Sequence, residues 1–140
     1  MGLSGTIPFE ISHFKDLEYL TLFGNEIHGQ IPTEIGELTN LKLLDFYSNQ
    51  VTGYLPDELY SLTNLISLRL GMNKLKGTIS ADVGSMKGLK ILSLMSNNLS
   101  GSLPSAFEEL SLLKELSLQN NLFTGNLNLP ISDYLGKLGR

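Results

Sequence analysis

The chain has 140 residues, 41% of them hydrophobic and 17% charged, a balance that sustains a packed core and leaves room for one domain. Ten Lys and Arg against 14 Asp and Glu give a net charge of −4, so the broad positive surface that nucleic-acid binding requires is missing and nucleic acid is excluded as a partner. Cysteine is absent, which removes thiol nucleophiles, thiolate metal sites and any disulfide framework.

The opening segment, Gly2-Leu3-Ser4-Gly5-Thr6-Ile7-Pro8, lacks the basic and apolar regions of a secretory signal, and no later apolar stretch reaches the roughly 18 residues that span a bilayer. Leucine supplies 30 of the 140 residues. It recurs at Leu17, Leu41, Leu65, Leu89 and Leu113 with a spacing of 24, and Asn25, Asn49, Asn73, Asn97 and Asn121 keep the same period. Gly5, Gly29, Gly53, Gly77, Gly101 and Gly125 share one phase as well. The chain therefore divides into a partial first turn over 1–16, repeats over 17–40, 41–64, 65–88, 89–112 and 113–136, and an irregular end over 128–140, all within one domain.

Within a repeat the first element is a short strand. The alternation in Leu20-Thr21-Leu22 and Leu68-Arg69-Leu70 puts both leucines on one face and the residue between them on the other. Stacked turns then form a parallel sheet. Next comes the Asn column, which has to be hydrogen-bonded if it is buried, because an unpaired amide is costly there. Apolar columns follow through Ile27, Val51, Leu75, Leu99 and Phe123, then Ile31, Leu55, Ile79 and Leu103, then Ile35, Leu59, Val83 and Phe107. They point into a core that no single turn closes alone. The glycine column marks a position of positive φ or close backbone approach. Pro8, Pro32, Pro56 and Pro104 suit the first position of a short helical turn, and Glu10, Glu34, Glu58 and Asp82 follow where acid suits the helix dipole.

The pattern LxxLxLxxNxLxGxIPxxIGxLxx, running from about residue 3 to residue 134, resembles the plant-type leucine-rich repeat. The resemblance implies an α/β solenoid of about six 24-residue turns, with a parallel β-sheet on the concave face and short 3-10 or helical segments on the convex side. It further implies a non-catalytic recognition module that binds a protein or peptide through the concave face, as part of a receptor-like ectodomain whose parent is extracellular or at the plasma membrane. Two other roles occur among similar proteins: secreted enzyme inhibitors resembling polygalacturonase-inhibiting proteins, and ice-binding proteins. Cysteine-bearing caps are common in the family and none stands here, so we expect a fragment of a longer array or a truncated chain.

No residue set points to catalysis, a cofactor or a metal. The acidic column is a regular ladder of like environments, whereas glycoside hydrolysis needs two carboxyls whose surroundings differ. His13 and His28 occupy different repeat positions, with no HExxH spacing, and no GxSxG elbow occurs. Met1-Gly2-Leu3-Ser4-Gly5-Thr6 matches an acylation pattern, but the repeat itself accounts for these residues, as Leu99-Ser100-Gly101-Ser102 shows. Asn98-Leu99-Ser100 is a glycosylation sequon and makes Asn98 a candidate acceptor. Ser and Thr flank the glycine column, at Ser4, Thr6, Thr52, Thr78, Ser100, Ser102 and Thr124, but His28, Gln30, Tyr54 and Lys76 interrupt this water-ordering array.

The face opposite the LxL leucines is free of repeat constraints. Its columns carry Tyr19, Leu43 and Ile91, then Thr21, Asp45 and Arg69, then Phe23, Tyr47 and Met95, then Met72. A solvated sheet face prefers polar residues, so this apolar strip is the candidate ligand-binding surface. Asp45 and Arg69 are neighbours in one column, where opposite charges can pair across strands.

Overall fold

The computed structural model describes residues 2–125, so the irregular end expected over 128–140 lies outside the described residues. In chain order the first half consists of β1 (Ser4–Thr6), the 3-10 turn η1 (Phe9–His13), β2 (Tyr19–Thr21), β3 (Glu26–Gln30), η2 (Thr33–Glu37), β4 (Leu43–Asp45), β5 (Gln50–Gly53) and η3 (Asp57–Ser61). The second half repeats the cycle with β6 (Ser67–Arg69), β7 (Lys74–Gly77), η4 (Ala81–Ser85), β8 (Ile91–Ser93), β9 (Asn98–Gly101), η5 (Ser105–Glu109), β10 (Glu115–Ser117) and β11 (Leu122–Phe123).

Across the described residues two sheets form, both parallel. The five LxL strands pair in the order β2-β4-β6-β8-β10, as the alternation predicts. Their register follows the repeat, with Leu20 opposite Leu44, Leu44 opposite Leu68 and Leu68 opposite Leu92. The other sheet, in the order β1-β3-β5-β7-β9-β11, has no counterpart in the sequence reading. Four of its strands, β3, β5, β7 and β9, begin just after the Asn column and reach the glycines. Those glycines hold φ values such as 80 at Gly29 and 82 at Gly53, so the chain needs this residue to keep pairing and then bend toward the 3-10 turn.

Both sheets and the 3-10 turns empty their apolar side chains into one core. Leu44, Leu68 and Leu92 enter from the LxL sheet, Val51, Leu75 and Leu99 from the other, and Ile35, Leu59, Val83 and Phe107 from the 3-10 side, all buried. Each fully buried aliphatic side chain stabilises by roughly 1.5–3 kcal/mol. Toward the N-terminal side Ile11, Leu17, Leu20 and Leu22 are only partly buried, as are Leu116 and Leu118 near β10.

The Asn column lies between the sheets and is fully hydrogen-bonded. Asn73 Oδ1 accepts from Val51 N at 2.9 Å, while its Nδ2 donates to the carbonyls of Phe46 (2.9 Å), Leu70 (3.1 Å) and Gly71 (3.2 Å). Asn49, Asn97 and Asn121 repeat the pattern, and Asn25 Oδ1 accepts from Leu3 N. Each amide thereby ties its own turn to the one before it.

The prolines differ from expectation. Pro8, Pro32, Pro56 and Pro104 stand one residue before their 3-10 turns, in extended backbone, and their carbonyls accept the N–H three residues on. They are caps, not first helical residues, because a ring that fixes φ near −65° also suits the extended residue leading into the turn. In the fourth turn Ser80 takes this place, and its hydroxyl accepts from Asp82 N at 3.1 Å. Being no proline, Ser80 keeps its N–H, which donates to the Tyr60 hydroxyl at 3.2 Å. Tyr60 itself fills the column position held by Gly36 and Gly84 in the neighbouring turns. Burial pushes the Tyr60 phenol above its ordinary value, and the Ser80 bond opposes this in part.

Candidate functional site

The outward positions of the LxL strands carry residues that the repeat leaves unspecified, and of these Ser67 is buried. Phe23 and Tyr47 stack with ring centroids 5.8 Å apart and planes 26° from parallel. Tyr47 then lies across Gly71, where a Cβ would stand 2.9 Å from its Cε2 and 3.0 Å from Met95 Cγ. The Tyr47 hydroxyl comes within 4.0 Å of Met95 Sδ, and Gln119 Nε2 approaches the same sulfur from the other side at 3.5 Å. A missing side chain at residue 71 thus lets one column close into a continuous ridge.

Beside the ridge is a hollow of about 280 Å³, bounded by Phe23, Asp45, Tyr47, Arg69, Ile91, Ser93, Glu115 and Ser117. Five of these belong to the surface read from the sequence: Phe23, Asp45, Tyr47, Arg69 and Ile91. Ser93, Glu115 and Ser117, which strand register places in the same columns, are not among the candidate residues read from the sequence. Tyr19, Thr21, Leu43, Met72 and Met95 lie outside the hollow. Tyr19 and Thr21 are exposed on β2, Leu43 is half-buried on β4, and Met95 supports Tyr47. Met72 is exposed on backbone with φ 54, a left-handed position that Gly24, Ser48, Ser96 and Asn120 share in the other turns.

Asp45 and Arg69 face each other in register but form no ion pair. Asp45 Oδ1 instead accepts from Tyr47 N at 3.0 Å, a local bond that a two-residue separation makes easy. The Arg69 guanidinium is left without an ion-pair partner among the described residues, exposed at the centre of the hollow. Ser67, between Leu43 and Ile91 on β6, buries a hydroxyl that has no partner among the described residues. At the N-terminal margin the Glu18 carboxylate accepts from Lys42 at 2.8 Å and holds that ammonium above its ordinary pKa.

On the other sheet the Ser and Thr positions fall on staggered rows. Thr6 pairs with His28, Gln30 with Thr52 and Thr52 with Lys74, each 22 residues on, so the 24-residue columns run obliquely across the strands. Asn98 is exposed at the first position of β9, and both histidines are exposed. Among the described residues no group of three or more His, Asp or Glu is placed to hold a metal ion, and no helix is long and apolar enough to cross a membrane.

Residues 9–138 match the family model described as a leucine-rich repeat region. No curated protein sequence matches the chain. Among solved structures, the chain is 40% identical to the LRR ectodomain of the plant membrane receptor kinase GASSHO1/SCHENGEN3 from Arabidopsis thaliana, solved with CASPARIAN STRIP INTEGRITY FACTOR 2. That match covers 88% of this chain and 15% of that one, with a TM-score of 0.86. The plant peptide hormone receptor RGFR1, in complex with RGF2, is 35% identical over 94% of this chain and 21% of its own, with a TM-score of 0.91. The Arabidopsis receptor kinase HAESA, with the peptide hormone IDA and the co-receptor SERK1, is 33% identical over 90% and 21%, with a TM-score of 0.87. The chain therefore spans between 15% and 21% of the length of these three proteins.

Proposed function

Since the chain belongs to the leucine-rich repeat family, we propose that it is a non-catalytic recognition module whose LxL face binds an extended peptide or protein segment, as part of a plant receptor-like ectodomain held outside the cell. The observation that carries this reading is the hollow beside the Phe23–Tyr47 ridge, where stacked aromatics, Ile91 and an unpaired Arg69 stand together on a rigid sheet. At about 280 Å³ it suits one or two side chains of a longer ligand. The rest of the ligand would run along the face, with Glu115 and Ser117 of β10 supplying polar contacts at the margin of the hollow. Structural relatives solved with peptide hormones support a ligand of this class.

Selection of a random displayed peptide library on the immobilised chain supplies the probe. Peptides recovered this way should bind Tyr47→Ala more weakly by roughly 1–3 kcal/mol, since buried aromatic anchors dominate such interfaces. Arg69→Ala should slow association and flatten its salt dependence. Thr52→Ala, on the other sheet, should bind as the parent does. Peptides that ignore Tyr47→Ala and respond to Thr52→Ala would move the binding surface to the other sheet.

A further inference from the structure

A second concavity, of about 520 Å³, opens on the side of the solenoid away from the LxL face, between the six-stranded sheet and the 3-10 turns. An aromatic at a position the repeat leaves free and two departures from the repeat build it. Tyr54 stands two residues ahead of Pro56 and is 61% exposed. Its ring is seated on Gly77, where a Cβ would come 2.5 Å from Cδ1. Tyr60, only 4% exposed, fills a column position that is glycine in the adjoining turns, and Ser80 replaces the proline.

The Tyr60 hydroxyl accepts from Ser80 N and lines the concavity, so its own O–H can donate to a ligand seated there. Asp57 and Glu58, also lining the space, enter no ion pair among the described residues and offer acceptors. Thr78 adds a further hydroxyl.

From this arrangement we propose a binding site for an uncharged saccharide. A pyranose ring has an apolar C–H face that lies flat on an aromatic ring, and equatorial hydroxyls that bridge carboxylates and hydroxyl donors; Tyr54 supplies the platform, and Asp57, Glu58 and Tyr60 supply the bridges. An acidic sugar would meet the carboxylates of Asp57 and Glu58, and the place of a cation over the Tyr54 ring is already taken by the Lys76 ammonium, 5.2 Å from its centroid. The volume falls within the roughly 300–1,000 Å³ of small-molecule sites. Nothing in this assignment depends on the LxL face.

Saturation-transfer difference NMR on the full chain tests it, with cellotetraose and maltotetraose as neutral probes and tri-galacturonic acid as the anionic one. Transfer to the pyranose C–H protons of at least one neutral tetrasaccharide is expected. Affinity should fall roughly tenfold in Tyr54→Ala, whose side chain is exposed and can be removed without disturbing the core. Tyr60→Phe, which deletes only the hydroxyl, should lose about threefold or more. Tyr47→Ala should bind as the parent does, which separates this site from the LxL face. No transfer to either neutral probe, undiminished transfer in Tyr54→Ala, or a preference for the acidic trimer would overturn the proposal.

Discussion

At Asn73 four backbone groups of three neighbouring segments converge on one side chain: the carbonyls of Phe46, Leu70 and Gly71 and the N–H of Val51. Replacement by Ala would strand several of these polar groups inside the core. An unpaired buried group costs about 1–3 kcal/mol, so Asn73→Ala should lower the urea midpoint by a corresponding amount, with an unchanged slope. Lys74→Ala next to it removes an exposed ammonium that donates to Gln50 Oε1 at 3.5 Å, and should stay within about 0.5 kcal/mol of the parent. Equal midpoints for the two variants would contradict the bonding described. The role of this column was legible in the sequence, because an amide recurring every 24 residues beside buried leucines has few ways to be satisfied. The behaviour of Asp45 was not. Strand register brings Arg69 opposite it, but whether the carboxylate turns across the sheet or back to Tyr47 N depends on a local backbone direction that spacing does not encode.

Among the elements, the LxL strands and the 3-10 turns were readable because each carries its own apolar periodicity. β3, β5, β7 and β9 were not, since a segment such as Glu-Ile-His-Gly-Gln offers one inward residue and a glycine, a pattern equally typical of a turn. What gives these segments strand geometry is pairing with the adjacent coils, a tertiary cause. The turns η3 and η4 are similarly shaped by a long-range pair, Tyr60 and Ser80. The Tyr60 phenol titrates from neutral to anionic, and burial raises its folded pKa above the ordinary value of 10.0, with Asp57 and Asp82 adding to the rise. The neutral form is therefore favoured by folding. Its contribution is complete below about pH 10 and is lost as pH climbs through the raised folded value. Urea unfolding measured at about pH 9 and about pH 11 should show a steeper loss of stability in the parent than in Tyr60→Phe, which has no proton to release. Parallel pH profiles for the two proteins would mean that the phenol is solvated.

The whole molecule behaves as a stack in which each coil contacts only its neighbours, so stability accumulates from interfaces between successive turns. Ile35, Leu44, Leu59, Leu68 and Leu92 are shielded on both sides by further coils, whereas Leu20, Leu22 and Leu118 are only partly covered. Amide hydrogen exchange should accordingly be slowest over β4, β6 and β8 and quicken toward β1 and β11. Uniform protection along the described residues would indicate a single cooperative unit instead. The seating of Tyr47 on Gly71 also bears on how such an array changes by unequal recombination. An in-frame loss of residues 65–88 would preserve the 24-residue phase, the asparagines and every leucine column. It would also set Tyr47 above Met95, whose side chain occupies the space Gly71 leaves open, and bring Pro104, which has no N–H, to the place of Ser80 opposite the Tyr60 hydroxyl. Turns that look interchangeable by period are therefore ordered cassettes, and the order is written in the side chains that lean on the coil ahead.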